Sequence, residues 1–150
     1  MPLSQPAETR RKYYTLEEAN RALPLVRVIV EDIVRQHRIV SEMKERMSVV
    51  SRSAGRDRRR RQEPDVYAEE VAHSEATLQA ERAKLQDYQE ELEKLGVELK
   101  GPDGLCDFPA RRDGRDVYLC WRLGEPEVLF WHEINDGFLG RRSVHEPAHR

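Results

Sequence analysis

The chain has 150 residues, of which 38% are hydrophobic and 36% charged, with a net charge of -2. That length suits a single domain with one core and a satellite module. The high charge fits long exposed helices better than a sphere, and the near-neutral balance gives no global argument for nucleic acid or an anionic membrane.

Residues 1–12 are polar, carry Pro2 and Pro6 and lack an apolar h-region, so we expect a flexible N-terminus and no secretory signal. No apolar run approaches the roughly 18 residues of a membrane span, so no membrane partner is expected. Cys106 and Cys120 are the only cysteines. Without a signal peptide they read as reduced thiols in a cytoplasmic protein.

Thr15-Leu16-Glu17-Glu18 is a capping box that starts a helix. Pro24 lacks an amide donor, so the expectation is a short first helix, a bend near Leu23 and a new helix with Pro24 in its first turn. Val26, Ile33, Val40 and Met47 then recur every seven residues, with Ile29, Gln36, Met43 and Val50 at the offset of three. This is a coiled-coil seam with one polar position. Leu25, Val28, Val30, Val34 and Ile39 widen it, which calls for a third packing element. Residues 51–64 hold Arg52, Arg56 and the run Arg58, Arg59, Arg60 and Arg61 around Gly55, and read as a flexible Arg-rich tip.

A second seam follows, built on Val71, Leu78, Leu85 and Leu92 with Tyr67, Ser74, Glu81, Tyr88 and Leu95 between them. Gly96 ends that helix as its left-handed C′ residue, and Val97 supplies the closing apolar contact. Residues 13–96 therefore form a long antiparallel helical hairpin. Because each helix buries only a narrow stripe, the hairpin needs either the remaining chain or a second copy to cover it.

Beyond Gly96 the period shifts toward two. Residues 105–108, 117–121 and 128–132 are strand-like, and Asp113-Gly114 suits a tight hairpin with both central residues at positive φ. The expected fold class is α+β: the hairpin, a short N-terminal helix, and a three-stranded antiparallel β meander in a module over residues 97–141. Residues 142–150 are expected to be a flexible tail.

Tyr14-Thr15-Leu16-Glu17-Glu18-Ala19-Asn20, Leu95-Gly96-Val97-Glu98-Leu99-Lys100, Tyr118-Leu119-Cys120-Trp121-Arg122-Leu123-Gly124-Glu125 and Trp131-His132-Glu133 together resemble a bacterial family, domain of unknown function 2203, over roughly residues 13–141. The resemblance implies a bacterial, cytoplasmic protein. It carries no activity and no site residues with it.

A four-residue loop at residues 124–127 would set Leu119 opposite His132 and Cys120 opposite Trp131. One face of the meander is then Cys106, Phe108, Leu119, Trp121, Phe130 and His132; the other is Asp107, Tyr118, Cys120, Trp131 and Glu133. On that register Cys106 and His132 lie about 10 Å apart, two strand spacings, and no metal site forms. The second face, with Arg122 and Glu125 at its rim, reads either as an interface or as a small-ligand pocket; His132 reads as a structural histidine. The Arg58 to Arg61 run reads as a solvated loop or as a phosphate-binding contact to nucleic acid. No cofactor motif and no catalytic arrangement is present, which argues against an enzyme. The reading that follows is an interaction or scaffold protein that self-associates, as a dimer, through its hairpin, with ligand binding on the polar-aromatic face as the alternative.

Overall fold

The computed structural model describes residues 12–61 and 64–145. Two helices, α1 (Leu16–Arg61) and α2 (Pro64–Lys94), are followed by β1 (Glu98–Leu99), β2 (Leu105–Arg112), β3 (Arg115–Arg122), β4 (Phe130–Glu133) and β5 (Arg142–Ser143). The strands form one antiparallel sheet in sequence order, with a 3-10 turn at Phe138–Gly140 between β4 and β5. The fold is thus α+β with a five-stranded sheet. The three expected strands are its centre; β1 and β5 are two-residue edges too short to leave a period-two signature. The supposed tail contributes β5, and the Val144 amide donates to the Leu129 carbonyl at 2.9 Å. Residues 1–11 and 146–150 lie outside the described residues.

Both helix ends are formed as their sequences dictate. The Glu18 amide donates to Thr15 Oγ1 and the Thr15 amide to Glu18 Oε1, each at 3.0 Å. At the end of α2 the Gly96 amide donates to the Glu93 carbonyl and the Val97 amide to the Leu92 carbonyl, with Gly96 at φ +80°.

Pro24 does not divide the first helix. It lies inside α1 on the solvent side, where water can serve the carbonyl that loses its amide partner. Nor does the helix stop at Ser51. Its backbone continues to Arg61, in keeping with the high helix propensity of arginine. The side chains of Arg58, Arg59, Arg60 and Arg61 are outside the described residues.

Val26, Ile29, Ile33, Gln36 and Val40 of α1 are buried, as are Leu78 and Leu92 of α2. Two of the three polar seam positions pair with each other: Gln36 Nε2 donates to both the carbonyl and the Oε1 of Glu81, each at 2.9 Å. A polar pair within an apolar seam fixes the axial register of the helices. Toward the tip the seam opens, and Val50 is 56% exposed.

The sheet supplies the cover that the widened stripe of α1 calls for. Phe108, Val117, Leu119, Trp121 and Trp131 join Val26, Val30, Ile33 and Leu92 in one core. The approach is close at Gly104 (φ +93°), where a Cβ would lie 3.1 Å from a Val30 methyl and 2.7 Å from the Leu123 Cβ.

One clamp joins the first turns of α1 to the β3–β4 connection. The Val128 amide donates to Asn20 Oδ1 at 2.7 Å, and Asn20 Nδ2 donates to the Val128 carbonyl at 3.2 Å. Val128 is fully buried. Its backbone is therefore held by the helix and not by β3, and β4 begins only at Phe130. Replacing Asn20 with Ala leaves a buried amide and a buried carbonyl unpaired. We expect it to cost about 2–4 kcal/mol, read from the urea denaturation midpoint; a change within experimental error would show that the clamp contributes nothing.

Candidate metal centre

The Asp113-Gly114 turn takes positive φ at both residues, 54° and 78°. It sets Cys106 opposite Trp121, Asp107 opposite Cys120 and Phe108 opposite Leu119, as the sequence implies. The next pairing does not follow the four-residue loop. Tyr118 lies opposite His132, Leu119 opposite Trp131 and Cys120 opposite Phe130. The Asn20 clamp lengthens the connection and shifts the register by one residue, and a one-residue shift exchanges the faces of β4.

The consequence is a different composition for each face. Trp131 turns to the helix side and joins the core. Glu133 is also on that side of β4 and meets Arg115 at 2.8 Å. His132 turns outward to join Asp107, Tyr118 and Cys120. The expected separation of histidine from cysteine on opposite faces is thereby corrected for Cys120.

Asp107, Cys120 and His132 come from β2, β3 and β4, and their exposures are 4%, 0% and 3%. Their ligand-capable atoms all lie within 4.8 Å of one another. The imidazole reaches across β3, and its Nε2 sits 2.9 Å from Asp107 Oδ1. Its Nδ1 lies 2.8 Å from the Glu133 carbonyl. A carbonyl only accepts, so Nδ1 carries the hydrogen of that bond. The Cys120 thiol is pushed up to about 12, first by burial and then by the charge of Asp107, to which it also hydrogen-bonds. It remains a neutral thiol through the physiological range.

Around this cluster the outer face is polar and tightly paired. The Tyr118 hydroxyl donates to Glu98 Oε1 at 3.1 Å, and Lys100 Nζ meets the same carboxylate at 2.8 Å. The Tyr118 ring packs at 5.5 Å from that of His132. Arg141 grips Glu125 through two hydrogen bonds of 2.7 and 2.6 Å and donates to the Cys120 carbonyl at 3.2 Å. Its guanidinium lies over the rings of Phe130 and Phe138, 4.1 and 4.5 Å from their centroids. Arg122 does not join the cluster; it pairs with Asp103 at 2.7 Å, while its amide donates to Glu125 Oε1.

Of the residues singled out in the sequence, Asp107, Tyr118 and His132 are thus brought together, with Glu125 nearby through Arg141. Trp131 and Glu133 belong to the other face. Cys120 carried a usable signal, its period-two spacing from Tyr118. Glu98 and Arg141 did not, because the strand and turn that deliver them are too short to read.

Residues 12–144 match the model of an uncharacterized conserved protein family, DUF2203. The chain belongs to that family. No curated protein and no solved structure matches it.

In this DUF2203 protein the Glu125 carboxyl shows how the outer face is held. Burial raises its pKa, but the hydrogen bonds from Arg141 and the Arg122 amide, with their charges, outweigh burial and leave it below the ordinary value of 4.5. A depressed folded-state pKa contributes stability above the unfolded value and loses it as pH falls through the folded one. Stability of the DUF2203 chain should therefore decline with acidification below about pH 4.5, and Glu125→Gln should flatten that decline in urea titrations at stepped pH. An unchanged acid limb in the variant would contradict the pairing.

Proposed function

We propose that this protein is a metal-binding protein that holds a divalent transition-metal ion of the zinc class between Asp107, Cys120 and His132. The observation that carries the reading is the convergence of three buried donors, from three strands, within 4.8 Å. Donors about 2.0–2.3 Å from a tetrahedral ion lie roughly 3.3–3.8 Å from each other, so movements of under about 1 Å by each donor bring the three onto one ion. The donor set suits zinc: one thiolate, one imidazole and one carboxylate. The Nδ1–H···O=C bond from His132 to Glu133 is the outer contact that commonly orients a ligating histidine and leaves Nε2 for the ion.

Charge accounting supports the same reading. A divalent ion held by a carboxylate, a thiolate and a neutral imidazole forms a neutral unit, so it places no net charge in the buried sheet, where one would cost several kcal/mol. Without metal the Cys120 thiol is protonated, so binding displaces its proton. Burial of all three donors closes the site to substrate, so the ion's role is to hold β2, β3 and β4 together.

Protein purified without chelator and reconstituted with zinc should retain stoichiometric metal by elemental analysis. Isothermal titrations in buffers of different ionisation enthalpy should show the Cys120 thiol proton released on binding, at least one proton per ion. Cys120→Ser and His132→Gln should each weaken retention. Their cobalt complexes separate the roles, since the thiolate charge-transfer band should vanish only in Cys120→Ser. Failure to retain zinc, or retention by either variant equal to that of the unaltered protein, would reject the site.

Self-association of the hairpin is a second reading, favoured by one observation. Between the outer halves of α1 and α2 lies a cleft of about 730 Å³, lined by Met43, Met47, Val50, Val71 and Leu78. Exposed Lys44, Arg46 and Arg52 on α1, interspersed with exposed Glu42 and Glu45, can meet exposed Glu69, Glu70 and Glu75 on α2 of an antiparallel second copy. Light scattering should report a dimer at tens of micromolar that Met47→Glu disperses; a monomer under those conditions would remove this reading.

A further inference from the structure

On the helix side of the sheet, between the first residues of α1 and the ends of β2, β3 and β5, a groove of about 330 Å³ opens to solvent. Its walls are apolar, built by Leu16, Ala110, Val117, Leu119 and Val144. Trp131 also lines it, is 95% buried by its 5% exposure, and has an indole N–H with no hydrogen-bond partner. A buried donor left unpaired costs about 1–3 kcal/mol, and native structures leave few of them. The other tryptophan shows the contrast, since Trp121 Nε1 donates to the Glu125 carbonyl at 2.9 Å.

The charges at the groove are unbalanced in the same sense. Arg112, another lining residue, places its guanidinium 4.7 Å from the centre of the Trp131 ring, and Arg142 lies 5.3 Å from the same ring. Neither has an ion-pair partner among the described residues. Two cations gathered on one indole repel each other, and an anion seated beside them would relieve that repulsion. The nearby Arg111 is already satisfied by Asp116 at 3.2 Å and by the Tyr13 hydroxyl at 3.4 Å. The unmet demands are thus one N–H donor and the half-buried Arg112 guanidinium beside apolar walls, with the exposed Arg142 at the edge, in a volume suited to a small molecule.

We propose that this groove binds a small organic acid, with its carboxylate at Arg112 and the Trp131 indole N–H and its apolar body against Leu16, Val117 and Leu119. The inference is independent of the metal centre, because Trp131 and His132 leave β4 on opposite faces.

The test uses phenylacetate as probe, phenylacetamide as its neutral counterpart, and the two indole N–H signals in proton–nitrogen NMR spectra of the full chain. Trp131→Phe assigns the signals. Phenylacetate should move the Trp131 signal saturably and leave that of Trp121 nearly fixed. Phenylacetamide should not reproduce the shift. Arg112→Gln, in which an unmoved Trp121 signal reports an intact fold, should weaken binding by about tenfold or more, the usual worth of a hydrogen bond to a charged partner. An unmoved Trp131 signal at tens of millimolar phenylacetate would overturn the proposal. So would an equal response to the amide, or unchanged affinity in Arg112→Gln.

Discussion

The clamp between Asn20 and Val128 is the constraint on which the rest of the sheet depends. Asn20 is a helical residue in the second turn of α1, and its side-chain amide takes both backbone groups of a residue that would otherwise continue β4 toward β3. Because those groups are satisfied by the helix, the strand pairs from Phe130 onward, opposite Cys120. Side chains alternate along a strand, so this single choice of register decides which of two neighbours, Trp131 or His132, enters the core. The helix thus does more than cover the sheet; it sets the chemistry of both sheet faces.

Each face answers a different physical demand. On the inner side, Trp121, Phe108 and Trp131 complete a core that two helices could not build alone, because a hairpin buries one stripe per helix. On the outer side the demand is for neutrality. Asp107, His132, Cys120, Glu98, Lys100, Glu125 and Arg141 are arranged so that each buried or half-buried polar group meets an opposite charge or a hydrogen-bond partner. Such a network is costly to break and specific in geometry. The outer half of the hairpin obeys neither demand fully. Its seam thins beyond Val40, leaving Met43 and Met47 half-buried.

Much of this was legible in the residues, for identifiable reasons. The capping box at Thr15, the Gly96 terminus, the two heptad seams and the Asp113-Gly114 turn are local signals, each formed by contacts among residues close in sequence or on one helix face. The β2–β3 register followed from the turn alone. What could not be read came from contacts distant in sequence. The Asn20–Val128 pair spans 108 positions, so nothing near Gly124 announces that the loop is longer than four residues. The metal-like cluster was hidden by the same error, since His132 then seemed to face away from Asp107 and Cys120. Pro24 misled in another way: its local rule is correct, but an exposed position on a long, well-packed helix tolerates the lost bond.

The central claim is that three strands, in this register, present one sulfur and two lighter donors to a single ion. X-ray absorption at the zinc edge of the zinc-loaded protein tests it most directly, because the scattering shells count donors by element and distance. The structure predicts a sulfur shell of a single thiolate near 2.3 Å together with nitrogen and oxygen donors at about 2.0–2.2 Å. A spectrum with no sulfur shell, or with two sulfurs, would contradict the convergence of Asp107, Cys120 and His132 on one ion.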